Sequence, residues 1–177
     1  TWTTVAPMSP TGTTPPTVDF PCRVDMHVHS RYSDRPSEWI LRRLGAPEWF
    51  TEPALVHERA RVAGMEFVTI TDHNEIRGAF ELRERHPERV FVGQEITTYF
   101  PENGCKIHVL AWDFTEAQHR EIQDVRRDIV DLAAYLRARG ILHSVAHTFY
   151  QNNARLTLDQ FEKLILLFKH FEGLNVS

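Results

Sequence analysis

The feature that most constrains the fold is a nearly continuous apolar run at residues 65–71, followed at once by the polar Asp72-His73-Asn74. Such a run is typical of a strand buried on both faces, as in a parallel sheet. The polar residues would then lie at the carboxyl end of that strand. Ligands gather at this edge in parallel sheets and barrels, so the segment predicts both a fold class and the place of a site.

Strands and helices alternate along the chain, which predicts βαβ units in an α/β fold. The predicted strands are 22–28, 65–71, 90–98, 106–112, 141–146 and 171–176. The predicted helices are a short one within 37–50, then 51–63 capped by Thr51, 75–85, one long helix at 116–139, and 157–168 capped by Thr157. Of the strand connections, only the turn at 101–104 is short enough for a hairpin.

Length and composition indicate one domain. The 177 residues are 42% hydrophobic, enough for a single buried core. Residues 1–21 are rich in Thr and Pro and are predicted to form an extended arm or linker. The folded domain would occupy residues 22–177.

Charge and cysteine content exclude several classes of partner. The net charge of −4 offers no basic field for nucleic acid and no polybasic patch for a membrane. Cys22 and Cys105 have no metal-binding spacing and are expected to be reduced thiols. With no predicted membrane span or signal peptide, we expect a cytoplasmic protein.

The first predicted strand carries an H-x-H pair. In a strand, side chains repeat every two residues, so Asp25, His27 and His29 would share one face. Two imidazoles on one face can bind a divalent transition metal, and a nearby carboxylate can orient one of them. The other candidate ligands fall near the ends of later strands: Asp34, Asp72, His73, Glu95, His108 and His147.

These motifs, in their order, resemble those of the polymerase and histidinol phosphatase (PHP) family. The resemblance rests on Asp25-x-His27-x-His29-Ser30, Ser33-Asp34, Ile70-Thr71-Asp72-His73-Asn74, Gly93-x-Glu95, Ile107-His108-Val109-Leu110 and Val145-Ala146-His147. It implies a distorted (β/α)7 TIM-like barrel that binds two or three divalent ions and hydrolyses phosphoesters. It also implies that His27 and His29 hold one ion and that Glu95 bridges to a second ion on His108 and His147. Asp34 and His73 would hold a third.

The family's late Asp-x-His motif has no counterpart here. Two interpretations stay open: the chain is a fragment that lacks the carboxyl-terminal part of the domain, which we favour, or it is a natural variant with an incomplete site. Further domains of the full-length protein are possible partners.

The residue types also predict the chemistry. Phosphoesters are anionic, so hydrolysis needs positive charge and a strong nucleophile, and hydroxide activated by paired ions supplies both. Mixed His and carboxylate ligands suit Zn, Mn or Fe. Asp25 and Asp72 are candidate catalytic residues, as orienting groups or proton acceptors. The cations Arg31, Arg77 and Lys106 are candidate contacts for the phosphate of a small phosphorylated substrate.

The remaining residues are given structural interpretations, with some alternatives. His57, His86, His119, His143 and His170 are expected to be structural, whereas Trp39, Trp49, Phe50, Tyr99 and Tyr150 could line a pocket. The leading function is a metal-dependent phosphoesterase. A non-catalytic or regulatory module of a larger protein is the alternative, and an amidohydrolase, which also uses an H-x-H strand, is a third.

Overall fold

The computed structural model describes residues 22–33, 51–147 and 156–173, and these form a mixed α/β fold, as predicted. The strands are β1 (Val24–Asp25), β2 (Phe67–Val68), β3 (Gly93–Tyr99), β4 (Lys106–Trp112) and β5 (Leu142–Val145). The helices are α1 (Pro53–Val62), α2 (Arg77–Arg85), α3 (Glu116–Val125), α4 (Ile129–Ala138) and α5 (Leu158–Leu167). No helix among these residues is both long and apolar enough to cross a membrane.

The strands form two small sheets. β1 and β2 are a parallel pair, and β3, β4 and β5 form an antiparallel sheet in that order. Isolated parallel bridges, Val68 to Val90 and His73 to Glu95, connect the two sheets. Within the described residues there is no closed barrel, so the predicted (β/α)7 barrel is not observed in this part of the chain.

β4 is the one described strand that runs against the others. The hairpin at 101–104 reverses the chain after β3, and β5 restores the direction of β3. Consequently, the amino-terminal half of β4 lies at the same edge as the carboxyl ends of the other strands. In this register Thr97 lies opposite His108, so His108 shares a face with Glu95, two residues before Thr97.

β1 and β2 are shorter than predicted, because the Thr71 side chain replaces part of the backbone hydrogen bonding between the two segments. The Thr71 hydroxyl accepts from the Val28 N–H and donates to the Val28 carbonyl, both at 3.1 Å. The Thr71 N–H also donates to the Val28 carbonyl at 2.7 Å. The segment before His29 is therefore fastened to residues 69–71 without a regular sheet.

The prediction of one long helix at 116–139 is wrong. This segment forms two helices, α3 and α4. Asp128 accepts a hydrogen bond from the Val130 N–H at 2.8 Å and so begins a second helix. Aspartate competes with helical backbone bonds in this way. The two helices are joined by a bond from the Tyr135 hydroxyl to Glu121 at 2.8 Å.

Two predicted caps have different outcomes. Thr51 does not cap α1, which begins at Pro53 after Glu52 without a side-chain cap. Thr157 does cap α5, in a reciprocal pair with Gln160. The Gln160 side chain also donates to the Asn103 side chain at 2.8 Å, so α5 contacts the turn between β3 and β4.

The hydrophobic core lies on the face of the β3–β4 hairpin opposite Glu95. Ile96 and Val109 are completely buried there, in one cluster with Ile122, Leu132 and Leu136 of α3 and α4. Burial of such side chains stabilises by about 1.5–3 kcal/mol each. The other face of the hairpin is thereby held in place as a platform for polar residues.

Candidate metal centre

Glu95, on β3, lies at the centre of a histidine cluster and is completely buried. Its backbone N–H donates to the carbonyls of Thr71 and Asp72, each at 3.2 Å. Its two carboxylate oxygens face two different groups of imidazoles. This division defines two sides of the cluster, which we call the Oε2 side and the Oε1 side.

Three imidazoles lie on the Oε2 side. His29 Nε2 is 2.9 Å, His27 Nε2 3.2 Å and His73 Nδ1 3.5 Å from Glu95 Oε2. The rings of His27 and His29 lie edge to face with centroids 5.2 Å apart. The H-x-H pair and His73, five residues after β2, therefore converge on one oxygen.

Two imidazoles lie on the Oε1 side. His108 Nδ1 is 2.8 Å and His147 Nε2 is 2.9 Å from Glu95 Oε1. His108 belongs to β4, and His147 follows β5, where the Ala146 N–H donates to the His108 carbonyl at 3.0 Å. The antiparallel sheet thus positions this second group.

Polar side chains hold the Oε2 side together. Buried Asp72 accepts from the Ser30 N–H and the Ser30 hydroxyl, both at 2.6 Å. Ser33 lies 3.3 Å from His29 Nδ1 and accepts from the His73 N–H at 3.1 Å. These bonds join the loop after His29 to the segment that carries His73.

Asn74 holds His73 against β3. Its backbone has a φ of 55°, which asparagine tolerates better than most residues. Its side-chain amide donates to the Thr97 hydroxyl at 3.0 Å, and its carbonyl oxygen accepts from the Thr97 N–H at 2.9 Å. This pair of bonds fixes the turn that presents His73 to Glu95.

The charge states follow from burial and pairing. Burial would raise the pKa of Glu95, but hydrogen bonds with His108, His147, His27 and His29 hold that pKa well below its usual value. The cluster therefore contains a buried carboxylate anion. Such an anion needs positive charge beside it, which protonated imidazoles or bound cations can provide.

His27 and His73 respond in opposite ways. Burial opposes the charged form of His27, but its bonds to Glu95 and Glu172 outweigh burial and raise its pKa to about 9. Burial lowers the pKa of His73 to about 3, so His73 is neutral. Its Nδ1 atom is buried without a hydrogen-bond partner. The neutral imidazole is the form that a metal ion requires.

The donor set fits divalent metal ions. Two groups of side chains place one donor atom each within 4.8 Å of one another: His27, His29 and Glu95, and His73, Glu95 and His108. Glu95 belongs to both groups, and the second group joins His73 of the Oε2 side with His108 of the Oε1 side. Imidazole and carboxylate donors suit first-row transition metals.

The candidate catalytic acids have structural partners. Both oxygens of Asp72 are bonded to Ser30, as described above, and burial raises the pKa of Asp72. Burial likewise raises the pKa of Asp25, whose carboxylate accepts from the His27 backbone N–H. Asp34 lies outside the described residues, as do Trp39, Trp49, Phe50 and Tyr150.

The three candidate cations are placed differently. Arg31 pairs with Glu52 at 3.0 Å, and Arg77 pairs with Glu75 at 2.8 Å. The charge of Lys106, at the start of β4, contributes to lowering the pKa of both His73 and His108, after burial. Lys106 is therefore near the cluster.

Most of the other histidines have structural contacts. His119 lies 2.8 Å from the Gln94 side chain, and His143 Nδ1 donates to the Ile141 carbonyl at 2.7 Å. The rings of His57 and His86 stack with centroids 3.8 Å apart.

Glu172 was missed by the sequence analysis. Its Oε1 atom is 3.0 Å from His27 Nδ1, and its Oε2 atom accepts from the His147 N–H at 2.7 Å. The signal that could have found it was its position in the last predicted strand, beside the strand that ends at His147. Phe171 does form a parallel bridge with Val145 of β5.

Comparisons with known proteins show the fold. The chain superimposes on a metal-dependent phosphoesterase from Bifidobacterium adolescentis with a TM-score of 0.58 and 16% identity, over 86% of this chain and 77% of that one. It superimposes on an amidohydrolase from Chromobacterium violaceum with a TM-score of 0.54 and 14% identity, over 82% of this chain and 72% of that one. The chain therefore shares the overall fold of these two proteins.

Sequence comparisons add one partial relative. Over 79 residues the chain is 37% identical to an uncharacterised protein of Methanocaldococcus jannaschii, a match that covers 43% of this chain and 44% of that protein. The match thus spans less than half of the relative's length. No protein-family model matches the chain.

Proposed function

We propose that this chain binds two divalent transition-metal ions, one on each side of Glu95, and hydrolyses a phosphoester. The observation that carries the proposal is the division of one buried carboxylate between two groups of imidazoles. A carboxylate in this position could contribute one oxygen to each of the two ions. The fold shared with a metal-dependent phosphoesterase supports the same function.

The proposed ligands are divided by the oxygen of Glu95 that each of them faces. His27 and His29 would hold the ion on the Oε2 side, and His108 and His147 the ion on the Oε1 side. His73 faces the same oxygen as His27 and His29, but its donor atom also groups with those of Glu95 and His108. The ligand types favour Zn, Mn or Fe. A third ion, on Asp34 and His73, stays a prediction, since Asp34 lies outside the described residues.

When bound, paired ions neutralise phosphate oxygens and supply an activated water. Lys106 contributes a further positive charge beside His73 and His108 and would bind an anionic substrate oxygen. Arg31 and Arg77 are the other candidate phosphate contacts. Asp25 is retained as a candidate proton acceptor, whereas the contacts of Asp72 favour a role in orienting the loop at Ser30.

Metal content tests the first half of the proposal. Purified protein, analysed for bound elements after incubation with Zn, Mn or Fe, should carry about two equivalents, and Glu95→Gln should carry fewer than one. Glu102→Gln, which changes an exposed carboxylate paired with Lys163, is the matched control and should bind like wild type. Less than one equivalent in the wild-type protein contradicts the proposal.

Substrate class tests the second half. An amidohydrolase is the second candidate, because one superimposable structure carries that description. The metal-loaded protein should hydrolyse p-nitrophenyl phosphate or bis-p-nitrophenyl phosphate and leave simple amide and lactam substrates intact. Turnover of amides alone would favour the amidohydrolase. Tight metal binding without any turnover would favour a regulatory module.

A further inference from the structure

We infer that Glu172 is a positioning residue that orients His27 for metal binding and fixes the backbone of His147, so that one carboxylate organises both sides of the centre. The inference rests on the proposed metal centre and extends it to a residue outside the ligand set. Glu172 is bonded to one histidine from each side of Glu95.

The first contact determines which nitrogen of His27 is available. His27 Nε2 faces Glu95, and Nδ1 faces Glu172 Oε1 at 3.0 Å. For Nε2 to bind a metal, the proton of the neutral ring must be on Nδ1, because each neutral imidazole carries a single proton. Glu172 is the acceptor for that proton, and carboxylates in this position orient metal-bound histidines and raise their basicity.

The second contact supports an unusual backbone. His147 has a φ of 25°, in a region that L residues rarely adopt. Glu172 Oε2 accepts its N–H at 2.7 Å, which stabilises the turn that presents the ring to Glu95 Oε1. Strained backbone of this kind persists when neighbouring interactions enforce it.

Glu172 is itself held in place by the sheet. Its backbone N–H donates to the Val145 carbonyl at 2.9 Å, and the Val145 N–H donates to the His170 carbonyl at 3.0 Å. Its side chain is 17% exposed, so both contacts are largely shielded from solvent. A carboxylate on this support can act as a fixed reference for the two rings.

Glu172→Gln would separate the orientation of His27 from the support of the His147 backbone. Both carboxylate oxygens of Glu172 face groups that need an acceptor, whereas an amide has one acceptor oxygen and a donor NH2 group. If the oxygen stays with the His147 N–H, the NH2 group faces His27 Nδ1. Nδ1 must then accept, which moves the ring proton to Nε2 and blocks metal binding there.

Zinc affinity, measured by competition with a chromophoric chelator, tests the inference. We expect Glu172→Gln to weaken zinc binding about 10–100-fold, the usual effect of losing a carboxylate that orients a ligand. The control is Glu81→Gln, because Glu81 also accepts with both oxygens, from Tyr32 at 2.9 Å and Arg85 at 3.2 Å. The control should bind zinc within about twofold of wild type.

A second background distinguishes positioning from a general loss of structure. When Glu172→Gln is added to the His27→Ala variant, it should change zinc affinity much less than it does in the wild-type protein. The reason is that the ring oriented by Glu172 is already absent. If Glu172→Gln does not fold, as judged by circular dichroism, Glu172→Asp replaces it. The shorter carboxylate cannot reach both partners and should weaken zinc binding in the same direction.

The outcomes separate the two proposals. Wild-type protein that binds zinc, with an equally tight Glu172→Gln variant, overturns the role of Glu172 and leaves the metal centre in place. An equal effect of Glu172→Gln with and without the His27 ring also overturns the orienting role. Wild-type protein that binds no zinc overturns the metal centre and this inference together.

Discussion

The two sides of Glu95 are built in different ways. On the Oε1 side, His108 is part of a seven-residue strand that pairs with β3 over its whole length, so the backbone ladder places the ring. On the Oε2 side, His27, His29 and His73 follow two strands of only two residues each. There the side chains of Ser30, Ser33, Thr71, Asp72 and Asn74 make the connections that a ladder would otherwise make.

The comparison teaches that either backbone or side-chain hydrogen bonds can hold candidate ligands in position. The two kinds of bond differ in how strongly a mutation affects them. Ladder bonds come from the backbone and persist when most side chains change. Side-chain bonds disappear with a single substitution, and a buried group that loses its partner costs free energy. We therefore expect the Oε2 side to be the more fragile one.

The largest effect is expected for Asp72→Ala. The substitution removes the two carboxylate oxygens that accept from the Ser30 N–H and the Ser30 hydroxyl. Because both residues are buried, the free energy of unfolding should fall by about 3 kcal/mol. Urea denaturation of the metal-free protein measures this loss. A decrease below about 0.5 kcal/mol would show that the ladder, and not Asp72, holds the Oε2 side.

Gly78→Ala should have the next largest effect. An added Cβ would lie 2.5 Å from Asp72 Oδ2 and 2.6 Å from Ser30 Oγ, so the Ser30–Asp72 pair would have to move. Overpacking of this kind costs about 1–3 kcal/mol, again measurable by urea denaturation. Gly173→Ala is the matched control, since a Cβ there has nothing within 4 Å and should leave stability nearly unchanged. Equal stability of the two variants would contradict the prediction.

Ser33→Ala should have a smaller effect on stability and a selective effect on metal binding. It removes the contacts with His29 Nδ1 and the His73 N–H, which together stabilise by about 1 kcal/mol. Zinc binding through the Oε2 side should weaken about tenfold, because His29, a proposed ligand, loses its contact with Ser33. Calorimetric titration with zinc should show one of two binding events weakened. Equal weakening of both events would contradict the separation of the two sides.

The smallest effect is expected for Thr98→Val, in the regular sheet. The Thr98 hydroxyl is buried without a hydrogen-bond partner, so an apolar group of the same shape removes an unsatisfied polar atom. The free energy of unfolding should stay within about 0.5 kcal/mol of wild type or rise slightly. Urea denaturation of Thr98→Val and Asp72→Ala under the same conditions compares the two losses of unfolding free energy. A loss above 1 kcal/mol would show that the sheet depends on this side chain as well.

Much of the secondary structure could be predicted from local pattern. The bounds of β4 and the cap of α5 were predicted at the residue level, because a hairpin turn and a threonine at the start of a helix are local signals. The break between α3 and α4 was not, since the apolar pattern continues through it and Asp128 decides the outcome. The closed barrel is not observed within residues 22–33, 51–147 and 156–173. Pairing between distant strands depends on interactions that no local pattern contains.

The sequence by itself determined the types and order of the candidate metal ligands, because His and carboxylate side chains have that chemistry in any fold. It also placed His73 and His147 after apolar strands, through the alternation of apolar runs and polar residues, whereas Glu95 and His108 lie within β3 and β4. Only the tertiary structure decided which oxygen of Glu95 faces which ring, that Asp72 is bonded to Ser30, and that Glu172 reaches His27 across 145 residues of sequence. These are relations between atoms on different segments, and packing of the whole chain is what brings such segments together.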